Sequence, residues 1–248
     1  MTVQRVKTGV NGLDEITNGG FPQGRNILVS GACGSGKTIL AMQFLYNGAL
    51  QQSEPGVFVT FDEIPGKLRQ DMLSFGWDLT ALEKNKQLAI IDGTSQRAGT
   101  TSEEEHSTTT HLDIDSVISD VLRTAQKINA KRIAIDSLPA MFNGEKQNEV
   151  RRAVLKMCYA FAKNGLTTLM TSEIPEQSTG LGLPQQFSAF QAEDFVADGV
   201  IVLNLLGNNS PRTIHIRKLR GSQHSIDVHP IEITDQGIIV KKVSEVMR

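Results

Sequence analysis

A glycine-rich segment that ends in Lys37 and Thr38 has the residue types and spacing that most directly indicate chemistry. Residues 31–38 read G-A-C-G-S-G-K-T and match the pattern G-x-x-x-x-G-K-[ST] at every fixed position. The glycines let consecutive backbone N–H groups face one anion at the start of a helix. In such a loop the lysine contacts the β- and γ-phosphates, and the hydroxyl binds Mg²⁺. The segment therefore predicts a site for a nucleoside triphosphate with Mg²⁺.

Carboxylates follow two of the apolar, strand-like runs. Asp136 follows the run 132–135, where a carboxylate completes a Mg²⁺ site with Thr38; the alternative is a helix cap. Asp62 and Glu63 follow the run 56–61. If that strand lies beside the one before the loop, a carboxylate at its end can orient water toward the γ-phosphate. Adjacent side chains point to opposite faces, so we expect one of the pair to act, Glu63 in preference to Asp62.

A basic stretch stands near the end of the chain, where residues 214–221 read I-H-I-R-K-L-R-G. The period of two in a strand puts Lys218 and Arg220 on one face. Such cations can neutralise the charge that develops on a γ-phosphoryl group, as an arginine finger does. The alternative is that they protect a sheet edge from aggregation. Spacing alone leaves both interpretations open.

Strand-like runs alternate with helical spacing through most of the chain. We predict strands at 26–29, 56–61, 87–91, 132–135 and 166–171, and helices at 38–51, 66–75, 114–128 and 147–163. The strands are apolar throughout, which is typical of a parallel sheet covered by helices on both faces. After residue 195 we predict strands at 200–205, 213–219, 229–233 and 238–241 with short, antiparallel connections. We expect an α/β fold in one domain spanning residues 1–248.

Composition excludes several classes of protein. Of the 248 residues 39% are hydrophobic and 21% charged, as in ordinary globular proteins, and no apolar stretch approaches the ~20 residues of a membrane span. The net charge of −2 does not favour nucleic acid as a partner. Two cysteines make no disulfide framework, and residues 1–9 lack the apolar core of a signal peptide. We expect a cytoplasmic protein.

Two polar segments interrupt the pattern. Thr94–His111 is rich in Ser, Thr, Gly and Glu and predicts a solvated loop. Pro175–Ala192 contains Gly180, Gly182 and Pro184 and predicts a long excursion between strands.

An ordered set of motifs resembles the KaiC branch of the RecA-like ATPases over nearly the whole chain. The chain opens with T-G-V-N-G-L-D-E at residues 8–15 and Gly19-Gly20. The other motifs are F-D-E at 61–63, S-F-G-W-D at 74–78, I-D-S at 135–137, T-S-E at 171–173, E-D-F-V-A-D at 193–198, K-L-R-G-S-Q-H at 218–224 and I-T-D-Q-G-I at 233–238. The resemblance implies a RecA-like P-loop fold with a mainly parallel sheet and antiparallel C-terminal strands.

The resemblance also implies a hexameric ring with ATP and Mg²⁺ between neighbouring subunits. One subunit offers Gly34, Ser35, Gly36, Lys37, Thr38 and Ile39 together with Asp62, Glu63 and Asp136, and its neighbour offers Lys218 and Arg220. The remaining residues that it places around the base and ribose are Ser74, Leu219, Ser222, His224, Thr234 and Asp235.

The chain departs from that family in three respects. Asp62 stands where the family has Glu, which makes Glu63 the preferred base. One ATPase unit is present, where the cyanobacterial clock protein has two in tandem. Asp194 and Phe195 stand where the second unit carries an autophosphorylated Ser–Thr pair, so the chain resembles the hydrolytic unit.

Three functions fit these features. The preferred one is a slow ATPase ring that switches contacts with an unidentified protein partner. The second is an ATPase that acts on single-stranded DNA in recombination or repair. It is less favoured, because residues 103–105 are acidic and residues 175–192 hold no Lys or Arg. The third, an autokinase, is disfavoured by Asp194 and Phe195.

Overall fold

A mixed β-sheet runs through the molecule and carries helices on both faces. The computed structural model describes residues 3–108, 113–142, 145–174, 187–205 and 212–241. Within these ranges the strands are β1 Arg5–Val6, β2 Phe21–Pro22, β3 Asn26–Gly31, β4 Gly56–Thr60, β5 Leu88–Asp92, β6 Arg132–Asp136, β7 Thr167–Glu173, β8 Gly199–Leu205, β9 Arg212–Leu219, β10 Val228–Thr234 and β11 Gly237–Val240. The helices are α1 Leu13–Ile16, α2 Lys37–Gln52, α3 Pro65–Leu73, α4 Leu79–Lys84, α5 Thr94–Arg97, α6 Ile114–Lys127, α7 Leu138–Met141, α8 Gln147–Lys163 and α9 Glu193–Val196.

The strand order confirms the predicted α/β class. Across the described residues the main sheet runs β11-β10-β9-β8-β3-β7-β6-β4-β5, and β1 pairs with β2 separately. The block from β8 to β5 is parallel, whereas β9, β10 and β11 are antiparallel. The predicted long elements are all present, with ends that differ by one or two residues. The turn residues 207–209 and residues 175–186 of the long excursion lie outside the described residues.

The position of β4 corrects one expectation. β4 does not lie beside β3, because β7 and β6 stand between them. Chain order favours neighbouring positions for consecutive strands, but here two later strands enter the gap and pair with β3 and β4. All these strands are parallel, so β4 still ends at the same edge of the sheet as β3.

Two cores explain why the strands are apolar along their whole length. Ile27, Val29 and Phe58 point into a core shared with α2, whereas Leu28 and Val57 point into a second core shared with α6 and α8. Both faces of each central strand are therefore covered, as a parallel sheet with helices on both faces requires. Cys158 lies in the second core.

The segment Thr94–His111 is more ordered than its composition predicts. Residues 94–97 form α5, Ser107 makes a bridge with Asp92, and Thr108 is buried. Glu104 forms an ion pair of 2.6 Å with Arg69. Ser95, Ser102 and Glu104 bond to protein groups, whereas residues 97–101, 103 and 105 are exposed, so the expectation of a solvated loop is met only in part over residues 94–108. Residues 109–111 lie outside the described chain.

The N-terminal T-G-x-x-G-L-D-E motif joins the start of the chain to its last strand. The N–H of Val240 donates to the carbonyl of Asn11 at 2.8 Å, and Thr8 donates to Asp14 at 2.8 Å from both its N–H and its hydroxyl. Gly12 has φ of +81°, and a Cβ there would lie 2.0 Å from the carbonyl oxygen of Val240. Only glycine fits this contact.

Arg132 is a fully buried cation at the start of β6. Its guanidinium donates to Glu54 at 2.6 and 2.8 Å and to the carbonyl of Phe44 at 2.8 Å, and it lies 4.5 Å from the Phe44 ring centroid. A Cβ on Gly48 would lie 2.4 Å from this guanidinium, so the glycine provides its space. These contacts hold α2 against the start of β6.

We expect Arg132→Met to lower the free energy of unfolding by about 2–4 kcal/mol, because it leaves a carboxylate and a buried carbonyl without their donor. Glu54 is partly exposed, which keeps the loss below that of a fully buried pair. Urea titration measures the change. Arg25→Met, which removes the surface pair with Asp198, is the matched control and should cost less than about 1 kcal/mol. Equal losses for the two variants would contradict this role.

Candidate nucleotide site

The glycine-rich loop lies between β3 and α2, at the carboxyl edge of the parallel strands. Gly34 and Gly36 have φ of +73° and +103°, which only glycine adopts readily. The Nζ of Lys37 donates to the carbonyls of Gly31 and Ala32, each at 3.0 Å. Ser35 has a buried hydroxyl that has no hydrogen-bond partner among the described residues. The predicted strand, loop and helix are therefore present, with the N-terminus of α2 facing the loop.

Thr38 and Asp136 meet beside the loop. The Thr38 hydroxyl donates to Oδ2 of Asp136 at 2.7 Å, and the Thr171 hydroxyl donates to Oδ1. Burial raises the pKa of Asp136, while these hydroxyls oppose the shift. A hydroxyl and a carboxylate are ligands that suit Mg²⁺, which takes few protein ligands beside phosphate oxygens. No cluster of three metal-binding side chains occurs in the described ranges. The donor set fits Mg²⁺ bound with a triphosphate.

Asp62 and Glu63 have different partners. Asp62 accepts from the Ser137 hydroxyl at 2.5 Å and from Arg97 at 3.0 Å. The carboxyl group of Glu63 faces the carboxyl group of Asp71. Burial raises the pKa of Glu63, and Asp71 and the charge of Asp136 raise it further. The two side chains therefore diverge after the strand ends, and Glu63 has the environment of a proton acceptor.

The turn between β10 and β11 lies against the loop. Ile233 and Ile238 approach within 3.3 Å of the position of a Cβ on Gly36. This contact brings Thr234 and Asp235 to the phosphate-loop side of the sheet. Trp77 lies 2.7 Å from the position of a Cβ on Gly237, so the segment that holds Ser74 borders the same turn. These contacts bring Ser74, Thr234 and Asp235 to one region, and their roles in binding stay predictions.

Lys218 and Arg220 lie away from the loop of their own chain. Arg212 at the start of β9 donates to the carbonyl of Gly34 at 3.4 Å. Lys218 follows six residues later, about 20 Å along the strand. Its Nζ donates to the carbonyls of Asp194 and Ala197 at 3.2 and 2.5 Å. Within one chain the basic end of β9 is separate from the phosphate loop.

Leu219, Ser222 and His224 belong to the same separate group. Leu219 is buried in the first core. The Ser222 hydroxyl donates to the carbonyl of Thr17 at 3.1 Å and accepts from Arg5 at 2.8 Å. Nδ1 of His224 is buried without a hydrogen-bond partner in the described part of the chain. The predicted ligands thus divide into two sets at different places on the subunit.

Comparisons with known proteins match this architecture. A family model described as "ATPase: KaiC" matches residues 6–245. The chain belongs to the KaiC family. A KaiC-like protein of Pyrococcus horikoshii has a crystal structure that superposes with a TM-score of 0.81 at 37% identity, covering 97% of this chain and 100% of that one.

Curated relatives of two lengths support the assignment to the KaiC family. The circadian clock oscillator protein KaiC of Parathermosynechococcus lividus is 37% identical over 95% of this chain. A UPF0273 protein of Methanocaldococcus jannaschii is 36% identical over 96% of both chains. The chain spans 42% of the length of that clock oscillator protein. The RecA-like fold predicted from the motifs is thereby confirmed.

Several residues of this KaiC-family site escaped prediction from the sequence. Arg97 and Thr171 contact Asp62 and Asp136 from elements that are distant in sequence, and Asp71 faces Glu63 from the next helix. Glu193, in the E-D-F-V-A-D motif, is fully buried. It accepts from the Ser172 hydroxyl at 3.0 Å and from the N–H groups of Phe190 and Ala192 at 3.3 and 3.1 Å. The E-D-F-V-A-D motif marked Glu193 as part of the family pattern but did not predict its burial or its hydrogen bonds.

Glu193 anchors α9 to the end of β7. We expect Glu193→Leu to lower the free energy of unfolding by about 3 kcal/mol, since it leaves backbone donors without an acceptor. Glu193→Gln keeps one acceptor oxygen and should lose less than half as much. Urea titration of the two variants measures the difference. A leucine variant as stable as the glutamine variant would contradict the anchoring role.

Proposed function

We propose that this chain is a Mg²⁺-dependent ATPase that converts ATP and water to ADP and phosphate. The contact of Thr38 with Asp136 beside the glycine-rich loop carries the proposal, because these groups fit Mg²⁺ and the loop fits a triphosphate. Membership of the KaiC family supports the same chemistry. We propose that residues 1–248 act as one ATPase domain.

Each group has a separate task in this proposal. The backbone of Gly34, Ser35 and Gly36 binds the phosphates, and Lys37 neutralises part of their charge. Thr38 and Asp136 hold Mg²⁺, which when bound neutralises further phosphate charge. Glu63 orients the attacking water and accepts its proton as the water oxygen bonds to the γ-phosphorus and the bond to ADP breaks. Its raised pKa brings the proton affinity closer to neutral pH.

A second copy of the chain completes the site in this proposal. Lys218 and Arg220 cannot reach the phosphate loop of their own subunit, since the length of β9 separates them. A neighbour in a ring can present the basic end of its β9 to that loop. Leu219, Ser222 and His224 then come from the neighbour, whereas Ile39, Ser74, Thr234 and Asp235 come from the subunit that holds the phosphates. We propose a homo-hexamer.

The wider role that we propose is regulation through a protein partner. The name of the Parathermosynechococcus lividus relative, circadian clock oscillator protein, supports a regulatory role without specifying this chain's process. Both cysteines are free thiols, and we propose a cytoplasmic ATPase. In the described ranges no helix has the length and apolarity needed to cross a bilayer. Asp194 and Phe195 offer no hydroxyl for autophosphorylation.

Two substitutions in one subunit separate binding from hydrolysis. We expect Lys37→Ala to abolish binding of a fluorescent ATP analogue, because the variant lacks the cation that neutralises part of the phosphate charge. Glu63→Gln should retain binding within about threefold and lose at least about 10²-fold in kcat, because water loses its proton acceptor. Asp62→Asn is the matched control and should keep more activity. Full hydrolysis by Glu63→Gln would contradict the assigned base.

Mixed rings test whether two subunits share one site. We expect Glu63→Gln and Arg220→Ala to be nearly inactive when assayed separately. When the two variants are mixed and reassembled, some interfaces between subunits combine an intact Glu63 with an intact Arg220, and activity should recover. A mixture of Glu63→Gln with Lys37→Ala,Glu63→Gln lacks every intact base and serves as the control. Strictly additive activity in the first mixture would contradict action between subunits.

A further inference from the structure

An irregularity in the pairing of β8 with β9 changes which side chains share a face. Val200 pairs with Lys218, but the next residue, Ile201, pairs with Ile216. Arg217 is therefore the extra residue of a β-bulge. Bulges bend a strand and redirect side chains, and they are frequent beside functional sites.

The bulge places Arg217 and Lys218 on the same side of the sheet. Ile216 and Leu219 both enter the first core, so the two residues between them face away from it. A regular strand would have sent Arg217 and Lys218 to opposite faces. Both line a cavity of about 600 Å³ together with Arg220.

Packing holds the Arg217 side chain over an aromatic ring. Its guanidinium carbon lies 5.0 Å from the centroid of Phe187, which packs against the second core. A guanidinium over a ring gains cation–π attraction and keeps its N–H groups available for an anion. Phe187 therefore orients Arg217 without occupying its donors.

The cavity has an excess of positive charge. Three cations line it, and Asp194 is the one carboxylate among the described lining residues. Oδ1 of Asp194 accepts from the Ser188 hydroxyl at 2.9 Å. Burial lowers the pKa of Lys218, and the charge of Arg220 lowers it further. The charges of Asp198 and Asp194 raise the pKa of Lys218 but do not reverse the shift. Cations therefore outnumber carboxylates in the cavity lining, which suits a polyanion.

We propose that Arg217 is a third cation of the seam between subunits, where it contacts the phosphates of the nucleotide held by the neighbouring copy, with Phe187 as its positioning residue. This inference rests on the proposed function, because the neighbour's nucleotide supplies the anion. Arg217 adds a planar, two-donor group to the point charge of Lys218, and phosphate oxygens match that geometry.

Steady-state kinetics with Mg-ATP test the inference. We expect Arg217→Ala to lower kcat/KM by at least about 10-fold, as the loss of a charge-assisted hydrogen bond implies. Arg217→Lys should recover part of the loss, and Phe187→Leu should show a smaller loss in the same direction. The KM of the unmodified protein should rise more steeply with salt than that of Arg217→Ala. The melting temperature and native mass of each variant should match those of the unmodified protein.

Two further variants make the outcome decisive. Arg151→Ala removes an exposed arginine on α8 and should leave kcat/KM unchanged, whereas Arg220→Ala should lose turnover. If Arg217→Ala behaves like Arg151→Ala while Arg220→Ala loses turnover, the role of Arg217 is overturned and the shared site stands. If Arg217→Ala and Arg220→Ala both behave like Arg151→Ala, both proposals are overturned.

Discussion

The negative charge of a triphosphate must be balanced by cations held in fixed positions, and this subunit holds its cations in two separate places. Lys37 stands at the N-terminus of α2, beside the glycine-rich loop. Arg217, Lys218 and Arg220 stand at the far end of β9, about 20 Å along the strand from Arg212 at the loop. Electrostatic stabilisation acts only at short range in a structured site. In the proposed ring, this separation makes full neutralisation depend on contact between two copies of the chain.

The central sheet brings the other groups of the site together from distant parts of the chain. β3 and β6 are separated by β7, and all three are parallel, so Thr38, Asp136 and Thr171 meet at one edge. β7 also ends in Ser172, whose hydroxyl binds the buried Glu193. Glu193 begins α9, and two carbonyls of residues 194–197 hold Lys218. The end of β7 thus contacts both Asp136 and the segment whose carbonyls hold Lys218.

Local patterns predicted the phosphate loop, the long helices and the parallel sheet, because each rests on spacing within one segment. The place of β4 was not predictable, since nothing local states that β6 and β7 enter between it and β3. The order in Thr94–Thr108 comes from contacts such as Glu104 with Arg69. The bulge at Arg217 depends on register against β8, so a period of two could not place Arg217 on the same face as Lys218. The motif at residues 8–15 includes Gly12 without explaining it. The close contact of Gly12 with Val240 in the structure explains why a glycine is needed there.

The most direct test of the shared site is native mass and ATP turnover measured on the same sample through a dilution series with Mg-ATP. If two subunits form each site, turnover per subunit should fall in step with the fraction of hexamer as the ring dissociates. A lone subunit that retains full turnover per chain would contradict the account.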